Sequence, residues 1–168
     1  WAESAGEGRG ARFLVRLPLL PAPPPPQILV VEDEVSVREA LCAALTAEGY
    51  GVDGVCSGIE AQEQLAARLP NLLVLDIGLP DVDGRDLLQR LRAEARTRDL
   101  PILVVSGLDF IQPDQVLALG ADEFLTKPVS PQVLSATVAG LLRRPARESR
   151  GEGTGMSATA KDNPGSRS

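Results

Sequence analysis

Leu72-Leu73-Val74-Leu75-Asp76 runs four aliphatic residues straight into a carboxylate. A strand with one wet face alternates polar and apolar residues, whereas an unbroken run is how a strand buried on both faces reads. Outward from it, further short apolar runs lie at Ile28–Val31, Tyr50–Cys56, Ile102–Val105 and Glu123–Leu125. Patterns of helical period separate them. Val35, Val37, Ala40, Leu41, Ala44 and Leu45 form a stripe after the first run, and Ile59, Leu65 and Leu69 follow the second. Leu87, Leu88 and Leu91 follow the third, and Val116, Leu117 and Leu119 the fourth. Val133, Leu134, Val138, Leu141 and Leu142 close the series. Five strand–helix pairs with short connections predict an α/β domain, a doubly wound parallel sheet covered by helices on both faces.

The chain of 168 residues has room for one such domain with flanking segments, hardly for two. Three Phe, one Tyr and one Trp make the core aliphatic. Residues 27–142 hold 18 acidic and 8 basic side chains, a net of −10, while residues 1–26 carry +1 and residues 143–168 carry +3. So acidic a domain argues against a face for nucleic-acid phosphates, and no nucleic-acid partner is expected. Cys42 and Cys56 have neither metal-ligand spacing nor a CxxC pattern, and both are expected to be buried thiols of a reduced compartment. No apolar run approaches the roughly 18–20 residues that span a bilayer. Phe13–Leu20 is broken by Arg16 and Pro18 and has no Met before it, so it does not read as a signal peptide. A cytoplasmic segment without membrane contact is expected, whatever anchors a parent chain. A start at Trp1 reads as a fragment or a processed chain.

The polar residues that interrupt the apolar runs carry the chemistry. Glu32, Asp33 and Glu34 follow the first run, Asp76 the third, Ser106 the fourth, and Thr126 and Lys127 the fifth. Open α/β sheets bind ligands beyond the carboxyl ends of their strands, so these side chains converge on one rim. Glu32, Asp33 and Asp76 crowded together repel and ask for a divalent cation. Mg²⁺ suits carboxylates, retained waters and phosphoryl oxygens; without Cys or His on that rim, Zn²⁺ does not. Asp33 taken alone reads equally well as a helix cap, and Asp83 before Gly84 reads better as one. Asp76 is harder to dismiss, because a carboxylate directly after a buried run is desolvated unless something pairs with it. Lys127 stands out in a chain of fifteen Arg and two Lys, the other being Lys161. A Lys there suggests that a point charge is needed where the guanidinium fork would not serve.

Four stretches carry a family resemblance. Ile28-Leu-Val-Val-Glu-Asp-Glu34, Leu73-Val-Leu-Asp-Ile-Gly-Leu-Pro-Asp-Val-Asp-Gly84, Pro101-Ile-Leu-Val-Val-Ser-Gly107 and Gly120-Ala-Asp-Glu-Phe-Leu-Thr-Lys-Pro128 resemble the signature blocks of response-regulator receiver domains, in order and at the family's spacing. The resemblance spans residues 27–142 and implies a flavodoxin-like (βα)5 sheet of strand order 2-1-3-4-5. It implies that Asp76 accepts a phosphoryl group from phosphohistidine on a histidine kinase or phosphotransfer domain. Asp33, Asp76 and the Gly78 carbonyl would hold Mg²⁺, with Glu32 acting through bound water. Ser106 and Lys127 would contact phosphoryl oxygens, the Lys127–Pro128 bond would be cis, and Gly107 would keep Asp76 accessible. Ser106 and Phe124 would form the switch, Phe124 standing where the family usually has Tyr. The switch would bias the face of the fourth helix, fifth strand and fifth helix, a possible self-association surface. Such a domain catalyses only its own phosphorylation and dephosphorylation.

The flanks extend the reading. Residues 7–19 open on glycines and then alternate Phe13, Val15 and Leu17 against Arg12, Leu14 and Arg16, a strand without partners of its own. They resemble the closing strand of the ATP-binding domain of sensor histidine kinases. On this reading residues 1–20 are a kinase remnant, residues 21–26 a Pro-rich linker, and residues 143–168 a disordered tail. The expected function is then the C-terminal receiver of a hybrid histidine kinase in a phosphorelay. The alternative is a stand-alone response regulator, and a remoter one a Mg²⁺-dependent phosphatase with an Asp nucleophile. That last reading wants a second Asp two residues past the nucleophile, where this chain has Gly78.

Overall fold

The computed structural model describes residues 23–107 and 112–144, together with the backbone of Ala2–Ser4 and Ala11–Phe13. The domain begins with β3 (Gln27–Val31) and alternates strictly: α1 (Val35–Ala47), β4 (Gly51–Val55), α2 (Gly58–Ala67), β5 (Leu72–Leu75), α3 (Gly84–Ala93), β6 (Ile102–Ser106), α4 (Pro113–Ala118), β7 (Glu123–Thr126) and α5 (Pro131–Arg143). The five strands form one parallel sheet in the order β4-β3-β5-β6-β7, which is 2-1-3-4-5 counted within the domain. This is the doubly wound α/β fold read from the apolar runs.

Each central strand is buried on both faces because each face meets a helix layer. Leu29, Val31, Leu73, Leu75, Ile102 and Val104 pack with Leu65 of α2, Leu87, Leu88 and Leu91 of α3 and Val116 of α4. Ile28, Val30, Leu72, Val74, Leu103 and Val105 point the other way, onto Leu41 and Leu45 of α1 and Leu134, Val138 and Leu141 of α5. Truncating a fully buried Leu such as Leu73 or Leu75 to Ala costs about 2–5 kcal/mol at sites of this kind.

Local chemistry sets the helix ends. Ser57 and Ser130 accept hydrogen bonds from the backbone N–H groups of Glu60 and Val133, and Asp83 caps α3 through the Arg85 N–H at 2.8 Å. The cap reading of Asp83 therefore holds. Asp33 caps nothing in this way; Glu34 occupies the N-cap of α1, without a side-chain cap bond. Gly49 and Gly120, at φ of 88° and 110°, end α1 and α4 in the left-handed region that glycine tolerates.

Three expectations change. Val35, Ile59, Leu117 and Val133 lie on the expected stripes but are exposed, since a helix on a sheet buries a narrower arc than its full apolar pattern. Cys56 is exposed and Cys42 half-buried, so the two are not both buried thiols. Cys56 falls just past the edge strand β4, with its N–H bonded to the Glu60 carboxylate at 3.0 Å. In the head, β1 (Ala2–Ser4) pairs antiparallel with β2 (Ala11–Phe13), aligning Ala2 with Phe13, so the first residues of the strand expected to be unpartnered have a partner within the chain. The remainder of the head, Pro21 of the linker, and the tail beyond residue 144 with Lys161 lie outside the described residues.

Candidate phosphoacceptor and cation site

Parallel pairing brings the strand ends level, and the rim assembles from that register. Val31 aligns with Leu75, Leu75 with Val104, and Ser106 with Thr126. The Asp76 N–H continues the ladder onto the Val31 carbonyl at 2.9 Å, and the Glu32 N–H reaches the Val55 carbonyl at 3.1 Å. Each polar residue is thus held by the sheet at the point where its apolar run stops.

Asp76 is 6% exposed, and both its oxygens are engaged. Oδ1 accepts from Ser106 Oγ at 2.6 Å and from the Gly78 N–H at 3.0 Å, and Oδ2 accepts from Lys127 Nζ at 2.5 Å. Lys127 Nζ also donates to Glu32 Oε1 at 2.8 Å and lies 2.6 Å from Oε2, so one ammonium bridges two buried carboxylates. The Lys127 N–H bonds to the Ser106 carbonyl at 3.0 Å, and the Lys127–Pro128 peptide bond is cis.

The charges respond to this geometry. Burial pushes the Asp76 carboxyl upward, but hydrogen bonds from Lys127, Ser106 and Gly78 outweigh it and hold the group below the ordinary Asp range. For Glu32 burial dominates over Lys127 and raises the carboxyl above the usual Glu value. Desolvation of Lys127 is overcome by its two carboxylate partners, which keep the ammonium charged to higher pH than usual.

Glu32, Asp33 and Asp76 each offer a carboxylate oxygen, all within 4.8 Å of one another, a candidate acidic cluster among the described residues. The donors fit Mg²⁺: all are hard oxygens, the sequence has no His, and the single bridging ammonium leaves the three carboxylates in negative excess. Gly78 sits against Asp76, where an added Cβ would lie 3.8 Å from both carboxylate oxygens. A Cβ at Gly107 would meet nothing within 4 Å. Phe124 is half-buried in β7 and packs on the core layer of α2, α3 and α4. An open cleft beside Asp76 is lined by Gly78, Asp83, Arg85 and Ser106, among others.

Two residues that the sequence reading passed over brace this rim. Arg38 of α1 donates from Nη1 to the carbonyls of Glu32 at 2.7 Å and Asp33 at 3.2 Å. Asp81 clamps the loop after Asp76 onto the start of α2, accepting from Gly58 N–H at 3.0 Å and Ile59 N–H at 2.9 Å. An added Cβ at Gly58 would run into a methyl of the Val82 side chain, so that side chain would have to move. The Asp81 partners lie 22 and 23 residues away, so no local pattern advertises them. Arg38 left a faint signal: an Arg early in a helix that follows an acidic turn.

A parallel sheet with buried carboxylates, a hydroxyl and a lysine gathered at its carboxyl rim defines the class, a doubly wound α/β domain with a candidate acidic cluster. Residues 28–139 match the response regulator receiver domain, and the chain belongs to that family. The phosphate regulon transcriptional regulatory protein PhoB of Rhizobium meliloti is 42% identical over 120 residues, 71% of this chain and 53% of that protein. A crystal structure from Chloroflexus aurantiacus, described as a response regulator, superposes with a TM-score of 0.68 at 36% identity, over 71% of this chain and 99% of that one. The signal receiver domain of a histidine kinase from Syntrophus aciditrophicus does so with a TM-score of 0.64 at 34% identity, over 70% and 89%. The chain spans about half the length of the curated relatives it matches. No helix among the described residues is long and apolar enough to cross a membrane.

Proposed function

We propose that this domain takes a phosphoryl group from a phosphohistidine onto Asp76 in two-component signalling, with Mg²⁺ held by Glu32, Asp33, Asp76 and the Gly78 carbonyl. The carrying observation is a buried Asp76 whose two oxygens are held from different strands by Ser106 and Lys127, beside two further carboxylates. In-line transfer forms a bond from phosphorus to an Asp76 oxygen as the phosphorus–imidazole bond breaks. It asks the protein for position and charge more than for covalent chemistry. The cation, when bound, neutralises charge on the phosphoryl oxygens. The Asp76 carboxyl, held below its usual range, is ionised at neutral pH and ready to attack. Lys127 can exchange carboxylate partners for phosphoryl oxygens, and Ser106 can follow the acquired group. Phe124, two residues before Ser106's partner Thr126 in β7, then repacks toward the α4–β7–α5 face, the surface offered to partners or a second copy.

For the surrounding protein, the curated relatives favour a response regulator separate from its kinase over the terminal receiver of a hybrid kinase. The PhoB relative is named as a transcriptional regulator, so an output domain in the full-length polypeptide is part of this reading. The hybrid-kinase reading keeps the resemblance of residues 7–19 and the likeness to the Syntrophus receiver. A cytoplasmic location accords with both. Sequence of the coding region on each side separates them: ATP-binding boxes before Trp1 support the hybrid, an output domain after Ser168 the regulator.

The site assignment is tested with acetyl phosphate. Intact mass should rise by one phosphoryl group with Mg²⁺ present, and chelator or Asp76→Asn should abolish the rise. Equal labelling of Asp76→Asn would remove Asp76 as the acceptor.

A further inference from the structure

We propose that Arg38 is a positioning residue of the cation site: its guanidinium holds the Glu32–Asp33 backbone so that both carboxylates face Asp76. The inference rests on the Mg²⁺ reading above and adds to it a residue outside the four motif stretches.

Beyond the Glu32 N–H, which bonds to the Val55 carbonyl of the sheet, the chain to Glu34 has not yet entered α1, so little regular structure orients its peptide groups. The N-cap of α1 makes no side-chain bond. Left to electrostatics, three carboxylates within 4.8 Å would spread apart, and exposed Asp33 has water to turn to. Arg38 opposes that. It gathers two successive carbonyls with one nitrogen, at 2.7 and 3.2 Å, and so fixes the orientation of both acidic residues from behind. Its stem has a prepared path. An added Cβ at Gly54 of β4 would lie 3.2 Å from Arg38 Cγ and 3.3 Å from Cδ, so the strand gives up a side chain where the arginine crosses it. A glycine in a strand commonly marks such a close approach.

Charge and position predict opposite signs, which makes the proposal decidable. An arginine acting only through its charge repels a cation, so removing it would tighten Mg²⁺ binding. An arginine that positions the ligands does the reverse, and outer-shell partners of metal ligands commonly contribute about tenfold or more to affinity.

The experiment titrates the ¹⁵N-labelled chain with MgCl₂ and no phosphodonor, following the amide shifts of Glu34, Ile77 and Gly78. Arg38→Met should bind Mg²⁺ about tenfold more weakly than wild type. Arg38→Lys, which keeps the charge, the stem and one donor, should fall between them. Arg98→Met, removing an exposed arginine paired with Asp99, should match wild type. Binding by Arg38→Met as tight as wild type or tighter overturns the proposal, as does an equal loss in Arg98→Met. If Arg38→Met does not fold, Arg38→Lys decides: weaker than wild type supports the role, and equal to it overturns it. A wild-type chain that shows no Mg²⁺ shifts at all would instead remove the proposed cation chemistry, a distinguishable failure.

Discussion

The sheet carries a partly buried ion cluster at each end, and the two are built on opposite principles. At the carboxyl rim, Lys127 bridges Glu32 and Asp76. At the amino end, Arg92 of α3 pairs with Asp122 at 2.8 Å, each side chain 12% exposed. Arg92 also donates to the carbonyls of Gly120 at 2.7 Å, Arg98 at 3.0 Å and Leu100 at 2.7 Å, and Asp122 accepts from the Ile102 N–H at 2.9 Å. That guanidinium spends its fork on backbone carbonyls, and its partner fastens the first residue of β6. The rim cluster is bonded side chain to side chain, with two carboxylates sharing one ammonium. The Arg92 arrangement locks backbone in place, whereas the Lys127 arrangement leaves charges that, on the proposed function, a cation and a phosphoryl group rearrange. The choice of Arg at one end and Lys at the other follows that division.

The sharpest way to break the comparison is to remove each cation in turn. Arg92→Ala removes the guanidinium bonds to Asp122 and to several carbonyls and should cost about 3–5 kcal/mol in denaturant unfolding. Mg²⁺ should stabilise this variant by no more than it stabilises wild type. Lys127→Met should cost less, ~1–3 kcal/mol, because Glu32 and Asp76 face each other uncompensated. Here Mg²⁺ should restore more stability than it adds to wild type, since a cation replaces the missing charge. An equal Mg²⁺ gain in the two variants would erase the distinction between the clusters.

A gentler change sharpens it. Lys127→Arg keeps the charge, so folding and Mg²⁺ binding should persist. The bulkier planar fork competes for Asp76 as a bidentate partner, and the response to beryllofluoride with Mg²⁺ should shrink. Amide shifts around Ser106 and Phe124 measure it; wild-type-sized shifts would mean that any cation serves there.

The smallest expected effect lies at Asp81, on the exposed side of the rim. The N–H groups of Gly58 and Ile59 hold its carboxyl below the ordinary Asp value of 3.8. A carboxyl lowered on folding contributes stability that is present above pH 3.8 and lost as pH falls through its folded pKa. Asp81→Asn should therefore remove a small acid-side slope from the stability curve and leave the neutral-pH phosphorylation yield near wild type. An unchanged acid limb would show that the clamp is made without the charge.

Much of this molecule was legible in its sequence. Glu32, Asp76 and Ser106 announce themselves because each is a polar residue where an unbroken aliphatic run stops and parallel strands must end together, and Lys127 because it is one of two Lys in a chain of fifteen Arg. Helix burial was less legible: Val35, Ile59, Leu117 and Val133 satisfy the helical period yet face solvent, because the period shows that a stripe exists and not how wide an arc the sheet covers. The exposure of Cys56 likewise depends on β4 being an edge strand. The pairing of Ala11–Phe13 with Ala2–Ser4 joins two three-residue segments too short to carry a pattern.

What the sequence determined by itself is the alternation of strand and helix, and with it the set of side chains that must share one rim. Periodicity and local polarity are properties of neighbours along the chain, and they survive in one dimension. The tertiary structure alone decided how those side chains divide their bonds. Lys127 takes Glu32 and Asp76 from 95 and 51 residues away, Arg92 reaches Gly120 across 28, and Asp81 finds the start of α2 across 23. Those distances close only after the sheet has formed, because bonds of about 3 Å between remote groups are fixed by packing and register rather than by any pattern local to either partner.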